Sequence, residues 1–205
     1  MRTRTQDISL GFSEDTLPIG SHVCFYYSSE DVVRQSLAFV RVGLDAPEDF
    51  CVIFADQSRF GSLVEWLQDG YAGDVSERIK AGKLALIGGS PTLEALVREI
   101  GGTLDQAIEA RGFKQIRFLG FIGWGLPNWP DEKTLLEFES RVNEVVTAYP
   151  AVIICTYGVP RLAGTSLIYG GLQTHSQVSF DGGTFKPNPF YVDPDAFIDR
   201  LSREN

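Results

Sequence analysis

The chain repeatedly trades one periodicity for another. Largely apolar runs, HVCFYY (22–27), FCVIFA (50–55), LALIGG (84–89), QIRFLGFIG (115–123) and AVIICTY (151–157), alternate with segments whose apolar residues recur at helical spacing. A strand can be apolar at every position only if both its faces are covered, and right-handed crossovers then leave little but a mainly parallel sheet between helical layers. The first crossover reads clearly. Ser28 or Ser29 caps a helix whose Val33, Leu37, Val40 and Leu44 form one stripe, and Ser28 with Asp31 approximates a capping box. A second short helix ends near Gly70, a longer third opens at Ser90-Pro91 and runs past Gly101-Gly102, and a fourth is expected from Glu132 to Ala148. TSLIYGGLQ reads as a shorter helical piece. QVSF, an Asp-Gly-Gly-Thr turn and NPFYV read as a hairpin, and Pro194 opens a final amphipathic helix. The expectation is an α/β fold, a three-layer sandwich with a C-terminal hairpin, made of a polar extension at 1–17 and a single domain at 18–205.

Charge narrows the partners. A net charge of -9 and a pI near 4.7 argue against direct nucleic-acid contact, which needs clustered cations to displace counterions. No stretch reaches the length of a membrane span, so a cytoplasmic protein without membrane contact is expected. Cys24, Cys51 and Cys155 each sit in a β run without metal or redox spacing, and read as buried reduced thiols. No metal or cofactor is expected.

The first turn is where an α/β nucleotide-binding protein carries its phosphate loop. Here it reads YYSSED, with no glycine, no lysine and two acids, and Gly82-Lys83 precedes a strand instead of a helix. A nucleophile elbow is missing as well. His22 and His175 are expected at the amino-terminal edge of the sheet, tying chain ends together by hydrogen bonds in preference to forming a metal or catalytic pair, or sensing pH. At the opposite, ligand-bearing edge fall Asp56 and the aromatics Tyr26, Tyr27, Trp124, Trp129 and Tyr157. These could line an apolar pocket or pack as core beneath loops.

Three blocks taken together, GSHVCFYYSSEDVVRQSLAFVRVGLDAPEDFCVIFAD, IRFLGFIGWGL with IICTYGVPRL, and LQTHSQVSF with NPFYV, resemble the MEDS (methanogen/methylotroph DcmR sensory) domain family. The resemblance implies a degenerate RecA-like or KaiC-like fold used in prokaryotic signalling and often coupled to DNA-binding or kinase domains. Where a KaiC-type ATPase carries paired glutamates after the second strand, this chain has Ala55-Asp56, and the strand through Gly120 and Phe121 lacks a Walker B acid. His22, Tyr27, Trp124, Cys155, Tyr157, Arg161, His175 and Asn188 match recurring family positions.

The first expectation is therefore a non-enzymatic sensory module. It would bind a small apolar or weakly polar molecule through Tyr26, Tyr27, Ser28, Asp56, Trp124, Tyr157 and Arg161, and relay to a protein partner in transcriptional or kinase signalling, or through homo-oligomerisation. A ligand-free interaction module with a RecA-like body is the alternative, and a residual nucleotide-binding ATPase a distant third.

Overall fold

The computed structural model of the chain describes residues 7–90, 92–122 and 132–203. Two short strands, Asp7–Ser9 (β1) and Thr16–Pro18 (β2), pair antiparallel. This ribbon lies inside the segment read as a polar extension, yet it buries Ile8, Leu10 and Leu17 in the core. Then come Ser21–Tyr27 (β3), the helix Glu30–Asp45 (α1), Asp49–Phe54 (β4), Phe60–Asp69 (α2), Val75–Lys80 (α3) and Leu84–Ile87 (β5). Leu93–Asp105 (α4), Gln115–Ile122 (β6), Glu132–Ala148 (α5), Ala151–Gly158 (β7), Gln177–Phe180 (β8), Lys186–Pro187 (β9) and Pro194–Arg203 (α6) complete the order.

Among the described residues the main sheet has seven strands in the order β5-β4-β6-β7-β3-β8-β9, all parallel except the last pair. Strand side chains alternate between two cores. Val23, Phe25, Cys51, Ile53, Leu119, Val152 and Ile154 pack against α1 and α2. Cys24, Tyr26, Val52, Phe54, Phe118, Ile153 and Cys155 pack against α4 and α5. Each large side chain so buried stabilises the fold by roughly 1.5–3 kcal/mol, which is why the continuous apolar runs specify this architecture.

Three local readings shift. The helix read from Ser90-Pro91 is capped instead by Thr92, whose hydroxyl accepts from the Ala95 amide at 3.2 Å. It continues through Gly101-Gly102, where a Cβ would meet open space, and widens into a π-helical turn at Gln106–Ala110. The segment read as a short helix after β7 is also π-helical, at Ser166–Leu172. The close approach of Tyr26 requires glycine there: a Cβ on Gly171 would lie 2.0 Å from the Tyr26 hydroxyl. The helix α3 is too short for any periodicity to announce it. It is held by Asp74, whose carboxylate accepts from the amides of Ser76 and Glu77.

On the α1 face, one polar knot crosses the apolar layer. Arg117 of β6 pairs with Asp49 at the start of β4, both almost fully buried, and donates onward to the carbonyls of Ser9 and Phe39. Gln115 donates to the other oxygen of Asp49. The knot thus joins the N-terminal ribbon, α1 and two strands. Removing one partner of such a pair leaves an uncompensated buried charge. Asp49→Ala is expected to lower unfolding free energy by about 3–5 kcal/mol in denaturant titrations, whereas the double change Asp49→Leu with Arg117→Met costs less than that single substitution.

Candidate functional site

At the carboxyl edge the chain satisfies its own phosphate-type turn. The Ser28 amide and hydroxyl donate to Asp181 Oδ1 and Oδ2 at 2.7 and 2.9 Å. Asp181 comes from the turn after β8 and adopts a left-handed φ of 48°, which Asp tolerates better than most residues. Its own amide is fixed by the Tyr26 carbonyl at 2.9 Å. A carboxylate of the chain therefore sits where such a turn would offer its amide to a phosphate. Ser29 caps α1.

Of the residues expected at this edge, Tyr27, Ser28 and Arg161 come together. They line a hollow of 180 Å³ with Ser29, Glu30, Val33 and Pro160. Arg161 also pairs with Glu30 at 3.3 Å, an exposed contact worth little. Tyr26 and Tyr157 lie elsewhere, buried on the other face with ring centroids 5.8 Å apart. Tyr26 stacks on Phe180 and donates to the Leu167 carbonyl. Asp56 caps the single turn after β4 by accepting from the Ser58 amide at 2.8 Å. Trp124 and Trp129 fall outside the described residues.

A more apolar cavity lies between α4 and α5. It measures 250 Å³ and is walled by Ile100, Leu104, Phe118, Phe138, Val142 and Ile153, with Arg141, Glu144 and Tyr149 at its rim. Gly101 opens the α4 side, and Val97 beside it is nearly half exposed. Tyr149 donates to Asp105 at 2.6 Å, latching the ends of the two helices. That bond, with burial behind it, pushes the Tyr149 phenol up to about 12. The stripe Leu96, Val97, Ile100, Leu104 is visible in the sequence, but only packing shows that part of it faces a cavity.

The two histidines meet inside the protein. His22, second in β3, and His175, just before β8, have ring centroids 4.0 Å apart. Glu139 of α5 lies between them, its Oε2 3.6 Å from His22 Nε2 and 3.4 Å from His175 Nε2. Cys155 Sγ is 3.5 Å from His22 Nε2. All four side chains are buried, and neither Glu139 oxygen has a hydrogen-bond partner. Burial, and next the Glu139 charge, raise the Cys155 thiol well above its ordinary value and do the same to the Tyr157 phenol. Burial, then the His22 ring, lower His175. Sequence reading singled out both histidines but not Glu139. The signal available was an acid four residues after Leu135 and three before Val142, in register with the buried face of the helix.

The family model described as MEDS, methanogen/methylotroph, DcmR sensory domain, matches residues 21–176. No curated protein compared with the chain matches it. Among solved structures, a KaiC-like protein from the hyperthermophilic archaeon Pyrococcus horikoshii OT3 superposes with a TM-score of 0.61 at 15% identity, covering 86% of this chain and 81% of that one. This likeness shows a shared RecA-type fold. Asp181→Ala, which frees the Ser28 donors, is expected to cost roughly 1 kcal/mol of stability in urea titrations.

Proposed function

The chain belongs to the MEDS sensory-domain family, and from that premise we propose that it is a non-enzymatic sensory module whose ligand is a small apolar molecule held between α4 and α5. The observation that carries this reading is the cavity itself: 250 Å³, walled by aliphatic and phenyl groups, with polar groups only at its rim. A space of that composition rewards burial of apolar surface at roughly 25 cal/mol per Å² and offers little to a phosphate or a sugar. The nucleotide alternative is disfavoured by the first turn, where Asp181 already holds the Ser28 donors.

Occupancy would act through helix position. The two helices are latched at one end by Tyr149 and Asp105, so a ligand wedged between Ile100 and Val142 changes their separation at the other end. That end of α5 lies nearest the sheet's carboxyl edge, where a protein partner or a second copy of the chain would read the change. No helix among the described residues is long and apolar enough to cross a membrane, and the relay is accordingly proposed between proteins.

A second reading places the ligand at the carboxyl edge, in the 180 Å³ hollow where Tyr27, Ser28 and Arg161 converge. Thermal melts against a panel of short-chain apolar compounds separate the two. Gly101→Leu projects a side chain into open space in the cavity while improving helix propensity by up to about 1 kcal/mol. This variant is expected to be at least as stable as the parent and to lose the compound-induced rise in melting temperature, which Arg161→Ala keeps. Loss in Arg161→Ala with retention in Gly101→Leu moves the site to the carboxyl edge. If no compound stabilises the parent, or if ATP with magnesium binds it at micromolar affinity in calorimetric titration, the sensory-ligand reading fails.

A further inference from the structure

We propose that His22 Nε2, His175 Nε2, Glu139 Oε2 and Cys155 Sγ form a four-coordinate site for one divalent transition metal, zinc by the chemistry of its donors. The inference goes beyond the apolar-ligand reading and does not depend on it.

Geometry comes first. A tetrahedral zinc with bonds of about 2.0–2.1 Å to nitrogen or oxygen and about 2.3 Å to sulfur places its donor atoms about 3.3–3.7 Å apart. The separations here are 3.4, 3.5 and 3.6 Å along three edges, and the four donor atoms all lie within 4.8 Å of one another. The two histidine–carboxylate distances are too long for good hydrogen bonds, and the 3.5 Å sulfur–nitrogen contact, within reach of a thiol hydrogen bond, is also the edge length a shared ion would set. Among the described residues this is the group of His, Cys and acidic side chains so assembled.

The tautomers agree. His175 Nδ1 faces the carbonyls of Gly171 and Gly170 at 2.9 and 3.2 Å. Carbonyls only accept, so Nδ1 carries the proton and Nε2 presents its lone pair to the cluster. His22 Nδ1 faces Asn143 Oδ1 at 3.3 Å. The orientation of that amide is set by its nitrogen, which donates to the carbonyls of Ser140 and Thr174 at 3.0 and 3.1 Å. His22 Nε2 therefore also presents its lone pair to the cluster, where the Cys155 thiol lies 3.5 Å away. Outer partners that fix the far nitrogen of each ring are the usual support of metal-bound histidines.

Energetics point the same way. A carboxylate with no exposure and no donor carries an uncompensated desolvation penalty, and His175 Nε2 is equally without a hydrogen-bond partner. A cation at the centre of the four atoms satisfies both and takes the thiol as thiolate, its proton leaving to solvent. With two imidazoles, one thiolate and a single carboxylate, the set suits zinc and not calcium or magnesium, which need several oxygens. His22 and Asn143 also line a surface cleft of 590 Å³ at the amino edge of the sheet. The ion would join β3, β7, α5 and the segment before β8, and α5 is one wall of the apolar cavity.

The test uses the full chain. Protein made in zinc-supplemented medium is expected to carry one zinc per chain by elemental analysis. After chelation, cobalt reconstitution is expected to give tetrahedral d–d absorption with a thiolate-to-cobalt charge-transfer band. Glu139→Gln, of equal size, and Cys155→Ser should each weaken cobalt affinity by at least about 100-fold, and Asn143→Ala by roughly 10–100-fold. Cys51→Ser, whose thiol lies on the other face of the sheet, should leave the band intact. The parent's cobalt spectrum needs no variant to fold. A parent that stays metal-free after reconstitution, an octahedral spectrum, or a band that survives Cys155→Ser overturns the site.

Discussion

A parallel sheet buried on both faces has no side where a polar group can reach water, so each polar side chain inside it must be answered by another. This chain carries one such knot on each face. On the α1 side, Arg117 and Asp49 answer one another and draw in the Ser9 and Phe39 carbonyls, tying the N-terminal ribbon to the central strands. On the α5 side, His22, Cys155, His175 and Glu139 converge. The two differ in kind: the first brings an opposite charge to its carboxylate, and the second leaves both Glu139 oxygens without a donor.

The helix α5 links the functional readings. Phe138 and Val142 face the cavity shared with α4, while Glu139 and Asn143, one residue further along in each case, face the histidines. Adjacent helical positions lie about 100° apart on the surface, so one rigid element serves both sites. A displacement of α5 by a cavity ligand would be resisted or transmitted by whatever holds Glu139. The π-helical turns at 106–110 and 166–172 lie beside these elements, and such turns often mark functional places in a fold.

At the carboxyl edge the turn after β3 is closed by the chain itself. An amide at a helix amino terminus wants an anion. In this protein the anion is Asp181, delivered by the hairpin after β8 and held in a left-handed conformation. The bond serves structure, since it pins the edge hairpin to the end of β3.

The sequence by itself determined the layers. Largely apolar runs of this kind are inner parallel strands, and the stripes of α1, α4 and α5 have their period written in the chain, so strand order aside, the α/β architecture and a C-terminal hairpin were legible, although the hairpin's second strand is Lys186–Pro187 and not NPFYV. The missing glycines and lysine of the first turn were legible too, being a local pattern. Tertiary structure alone decided the sites. Asp181 lies 153 residues from Ser28 and Cys155 lies 133 from His22, and no periodicity reports which residues meet across such distances. Whether Tyr26 and Tyr157 line an opening or fill the core depended on glycines at 171 and 170, which let a π-helical turn close over Tyr26 and Tyr157 respectively. An acid on a helix's buried side reads as a surface residue until packing covers that side. Local spacing fixes which face a residue takes, but the chemistry of a site depends on which faces the fold presses together.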